Sequence, residues 1–138
     1  MRIIFIWLVV MVVFQSRIYS QTNFAKSELK AFIKKAGIDS LTITDFLKQE
    51  TIQLNFSNLT IVSFRAYLFP CVNSDCTKTN DATIVSIKRN TLKSIEFIQM
   101  LNQFRKNLPF ALVFDQIKFF NAKGELMNVP KALFIKVY

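Results

Sequence analysis

Histidine is absent from this sequence, and glycine (two residues), proline (three) and cysteine (two) are scarce. Without histidine the commonest general base is missing, so neither a Ser-His-Asp nor a Cys-His arrangement can be assembled. Two glycines leave no phosphate-cradling loop, because such loops need backbone positions free of Cβ. Carboxylates are the remaining candidates for acid–base chemistry, and no motif groups them. Asp39, Asp45, Glu50, Asp75, Asp81, Glu96, Asp115 and Glu125 fall mostly in predicted turns or helix ends, where such groups cap or solubilise. The sequence therefore reads as that of a protein that is not an enzyme, with no catalytic residues, no cofactor and no metal.

Phenylalanine is what the chain has in excess: 15 of 138 residues, within a hydrophobic fraction of 51%. So many large apolar side chains offset the entropic cost of ordering the backbone and argue against disorder. The N-terminus carries an export pattern, with Arg2 as a positive start, an apolar run of twelve residues from Ile3 to Phe14, and a polar close ending at Ser20. A membrane-spanning helix needs about 20 apolar residues, so a permanent anchor is the weaker alternative. Residues 1–20 are thus expected to be a signal peptide cleaved before Gln21. Residues 21–138 are then one β-rich domain, periplasmic or secreted, with no spanning segment after cleavage.

Removing Arg2 and Arg17 leaves 16 basic residues against nine acidic ones, a net charge of +7. Such a charge favours anionic surfaces. The cations are scattered, however, with doublets only at Lys34-Lys35, Lys88-Arg89 and Arg105-Lys106, the pattern of a solvated basic surface. Export excludes nucleic acid as the expected partner. Cys71 and Cys76 are expected to close a local disulfide in an oxidising compartment. A zinc site is the poorer alternative, since no histidine or second cysteine pair completes a tetrahedron.

Along the mature chain, Leu29, Phe32, Ile33 and Ala36 recur at helical spacing between Ser27 and Gly37, predicting a helix over 28–36. Alternation at Leu41-Thr42-Ile43 and from Ile52 to Phe56 predicts half-buried strands. A long strand over 58–70 ends at Pro70 and returns as an antiparallel strand over 82–88, which makes 71–81 a hairpin loop. Ser94 is placed to cap a helix over 95–106. A buried strand follows from Phe110 and breaks near Asp115, a turn occupies 121–125 around Gly124, and residues 132–138 form the closing strand. The fold class is mainly β, a sandwich of largely antiparallel strands with two short helices. Most phenylalanines fall at core positions. Tyr67, Phe69 and Tyr138, at strand ends or on the outer face, together with Asn73 and Asp75 in the hairpin loop, form the candidate partner surface.

Three runs carry a family resemblance: Thr60-Ile61-Val62-Ser63-Phe64, Val113-Phe114-Asp115-Gln116-Ile117-Lys118 before the Lys123-Gly124 turn, and Leu133-Phe134-Ile135-Lys136-Val137. With them, the chain from about Phe24 to Tyr138 resembles the C-terminal domain of GldM, the periplasmic shaft protein of the gliding-motility and type IX secretion motor of Bacteroidetes. The resemblance implies an immunoglobulin-like β domain that binds envelope or outer-membrane-associated proteins and has no catalytic residues. The cysteine hairpin and Asn107-Leu108-Pro109, in place of a glycine-containing turn, depart from that family's pattern. Two readings of function result. One is an exported protein-binding or assembly domain of the bacterial envelope. The other is a basic binder of anionic lipid or polysaccharide at the envelope surface, whose attachment salt would weaken.

Overall fold

A computed structural model describes residues 29–138 apart from Lys35 and Ala36. The expected signal peptide, the expected cap Ser27, and Glu28, Lys35 and Ala36 of the expected first helix lie outside the described residues. The elements are β1 (Ala31–Phe32), β2 (Ser40–Leu41), α1 (Ile43–Leu47), β3 (Gln53–Leu54), β4 (Ile61–Pro70), β5 (Thr83–Lys88), α2 (Ile95–Phe104), β6 (Phe110–Phe120), β7 (Leu126–Asn128) and β8 (Leu133–Val137). The fold is mainly β with two short helices. β1 and β3 pair alone; the other six strands form one sheet in the order β2-β8-β6-β4-β5, with β7 beside the far half of β6. All pairings in that sheet are antiparallel except β2 with β8.

The inner face of the large sheet follows from alternation. Phe64, Ala66 and Leu68 of β4 stand in line with Phe110, Leu112 and Phe114 of β6 and with Ile135 and Val137 of β8, all of them buried. Phe97, Met100 and Leu101 of α2, Phe46 of α1 and Leu54 of β3 join the same apolar cluster. The helices and the small sheet thus form a second layer over one face, a sandwich-like arrangement. Four rings cross between the layers: Phe64 to Phe114 at 5.7 Å, Phe114 to Phe97 at 6.0 Å and Phe97 to Phe46 at 6.2 Å. No polar or charged residue is buried among the described residues.

The β4–β5 hairpin, the helix capped by Ser94, the Gly124 turn and the closing strand occur where the sequence places them. Ser94 Oγ accepts the Phe97 N–H at 3.2 Å, and Gly124 takes a φ of +77°. The first expected helix does not form over its described part. Ala31 and Phe32 pair as a strand with Leu54 and Gln53, and the Lys30 N–H reaches Asn55 Oδ1 at 2.9 Å. Leu29 and Ile33 are buried, and residues four apart share a face in a strand as well as in a helix, so their spacing fits both. The strand expected at Leu41-Thr42-Ile43 stops at Leu41. Thr42 accepts the Asp45 N–H at 3.1 Å and starts α1 instead, because a threonine followed three residues later by an acid caps a helix. β6 also runs through Asp115 without ending there, at the cost of a bulge described below.

Candidate functional site

The large sheet leaves its second face without a covering layer among the described residues, and cross-strand register sets side chains there in rows. One row runs Ile84–Tyr67–Val113–Phe134 across β5, β4, β6 and β8. It is apolar along its whole length apart from the tyrosine hydroxyl, and Ile84 and Phe134 are about half exposed, at 55% and 47%. Phe69 continues it along β4, its ring stacked on that of Tyr67 at 6.3 Å and 14°. The next rows in the other direction are polar: Ser86–Arg65–Asp115, then Lys88–Ser63–Lys118.

A pair of compensating bulges produces the polar rows. Between Arg65↔Asp115 and Ser63↔Lys118, β6 advances three residues while β4 advances two; between Ser63↔Lys118 and Ile61↔Phe119, β4 advances two while β6 advances one. The extra residue in β6 is taken up near Gln116, whose φ is +48°. It turns Ile117 and Phe119 into the core and brings Lys118 to the outer face. There Ser63, Arg65, Ser86, Lys88, Gln116 and Lys118 border a hollow of about 240 Å³.

Of the residues expected to form the partner surface, Tyr67 and Phe69 lie together on this face. Tyr138 is exposed just past the end of β8 and is tied to β2 by its N–H to the Leu41 carbonyl at 3.1 Å. Asn73 and Asp75 are engaged in building the hairpin loop. Asn73 Oδ1 accepts the Lys78 N–H at 3.0 Å and its Nδ2 donates to Thr77 Oγ1 at 2.6 Å. Asp75 Oδ1 accepts the Thr77 N–H at 3.2 Å and the Thr77 hydroxyl at 3.0 Å. These bonds, the backbone one first, hold the Asp75 carboxyl below its ordinary value, and Lys136 adds to the effect. The sulfurs of Cys71 and Cys76 are 2.10 Å apart, a disulfide that closes the same loop.

Ile84, Val113 and Phe134, and the cations Arg65, Lys88 and Lys118, belong to the face as well. Alternation along Ser63-Arg65-Tyr67-Phe69 signals one strand of it; the register that adds the others is not encoded locally. A separate cleft of about 670 Å³ opens beside the small sheet, where Phe32, Leu54 and Leu59 face Asn55, Ser57 and Asn90, and no charged residue lines it. No helix among the described residues is long and apolar enough to cross a membrane. No protein-family model, curated protein or solved structure matches the chain.

Proposed function

We propose that this chain is an exported, non-catalytic binding or assembly domain of the bacterial envelope, which docks a periplasmic or outer-membrane-associated protein on the outer sheet face. The observation that carries this reading is the open row Ile84–Tyr67–Val113–Phe134. An apolar strip four strands wide, rimmed by cations and carrying stacked aromatic rings, has the composition of a protein interface core. β5, at which the row begins, is an edge strand of six residues among the described elements, so a partner strand can add to its outer backbone groups while its side chains meet the row. The export pattern of Met1–Ser20 and a disulfide that suits an oxidising compartment support the location. The resemblance to the GldM C-terminal domain supports the role.

The experiment is affinity capture from the native host's envelope fraction with the mature domain and with Y67S/F134S. Capture of the same protein by wild type and by an F120S control, retained at high salt and lost with Y67S/F134S, is the expected result. Equal capture by Y67S/F134S removes the face from the reading. Attachment to the envelope that high salt abolishes selects the basic-surface reading instead.

A further inference from the structure

We infer that the hollow between β4, β5 and β6 is a binding site for a phosphate- or sulfate-type oxyanion. This does not depend on protein docking at the neighbouring apolar row. Lys88 and Lys118 flank Ser63 on the two adjacent strands, which sets their backbones about 10 Å apart, and Arg65 stands on the same face about 7 Å along β4. Three cations therefore lie within roughly one Debye length of one another at physiological ionic strength. Among the described residues none has a carboxylate within 4 Å; the ion pair there is Lys48 with Asp45. The acid nearest in register, Asp115 opposite Arg65, accepts the Gln116 N–H and does not border the hollow.

The other donors at the site are unspent too. The hydroxyls of Ser63 and Ser86 and the side-chain amide of Gln116 have no hydrogen-bond partner among the described residues, and Arg65 makes only a long contact of 3.4 Å to the Tyr67 hydroxyl. Donors that approach one hollow from three strands suit an anion with acceptors in several directions and more than one charge. A lone planar carboxylate is already satisfied by a single guanidinium fork.

The test is an amide-shift NMR titration of the mature domain with inorganic phosphate, at an ionic strength held constant with chloride. Saturable shifts are expected at Ser63, Arg65, Ser86, Lys88, Gln116 and Lys118, with binding at least tenfold weaker in R65Q/K118Q and unchanged in K48Q, a lysine at the end of α1 in the layer over the opposite face. S63A/S86A, which removes hydroxyls and no charge, is expected to weaken binding severalfold and serves if R65Q/K118Q does not fold. Shifts that rise linearly and spread over the surface lysines, or equal affinity in the folded variants, overturn the inference. Sedimentation with phosphatidylglycerol vesicles, set against phosphatidylcholine, identifies the source of the anion. Lipid binding lost in R65Q/K118Q assigns the site to headgroups, and saturable phosphate binding without vesicle binding assigns it to a free anion.

Discussion

Replacing Phe97 with alanine tests whether the ring array joins the two layers. Phe97 is fully buried and is the member of α2 that touches rings from both directions, Phe114 of β6 at 6.0 Å and Phe46 of α1 at 6.2 Å. Truncating a buried phenylalanine costs about 3–5 kcal/mol, through lost burial and the cavity left behind. The two ring contacts, each about 0.5–1.5 kcal/mol and included in that range, place F97A in its upper half. Against a total stability of about 5–15 kcal/mol, and at about 4 °C per kcal/mol for a domain of this size, the melting temperature should fall by about 15–20 °C. F134A removes a ring of the same size that is 47% exposed on the outer face, and should cost less than about 1 kcal/mol. Urea unfolding followed by circular dichroism, with calorimetry for the midpoint, measures both. A loss below about 1.5 kcal/mol for F97A, or equal losses for the two variants, would refute the argument that the core lies on the helix side and that no layer of the described residues packs on the opposite face.

The remaining expectations are more local. Opening the six-residue loop with C71S/C76S should lower stability by about 2 kcal/mol on the chain-entropy account, and dithiothreitol should reproduce that shift in the wild type but leave the variant unchanged. Because the Thr77 bonds depress the folded pKa of Asp75, the ordering they give the loop is present above the ordinary value of 3.8 and is lost as pH falls through the lower folded value; an NMR titration of the Thr77 amide should show a midpoint below 3.8, and a midpoint at or above it contradicts the bonding. S94A should cost about 1 kcal/mol through loss of the N-cap of α2, read from the urea midpoint. Q116G should stay within about 1 kcal/mol of wild type in the urea midpoint, since glycine adopts positive φ freely, and deletion of Gln116, which removes the extra residue of β6 and leaves Ile117 inside and Lys118 outside, should still unfold cooperatively.

Those elements that declared themselves in the sequence are the ones whose signals are local. Pro70, the alternation on both sides of the cysteine loop, and Ser94 ahead of Phe97 each specify their structure within a few residues. The start of the described chain was not legible for the opposite reason. Leu29 and Ile33 fit a helix and a strand equally, and the choice was made by Gln53 and Leu54, more than twenty residues away. At Thr42 a cap signal competed with β-rich texture, and the cap prevailed because helix formation after Leu41 buries Phe46 against Phe97. Tyr67 and Phe69 were recognisable as outer-face residues from β4 alone. Their neighbours were not, since a hairpin loop of this length leaves the register between β4 and β5 open.

The hollow shows how a functional candidate can be written in a break of pattern. Residues of β6 in the apolar core cluster fall at 110, 112 and 114 and then at 117 and 119; those of β4 fall at 61 and then at 64, 66 and 68. A strand that keeps one face buried cannot step three residues without a bulge, so the apolar spacing of each strand carries a phase change of its own. What neither strand reveals alone is that the two changes lie side by side, at Ile61↔Phe119, Ser63↔Lys118 and Arg65↔Asp115. Adjacent phase changes of this kind cancel in the core, where every apolar residue still points inward. On the outer face they bring Lys118 level with Ser63 and Lys88 in place of the buried Ile117, so the same irregularity that keeps the interior apolar assembles the cations outside.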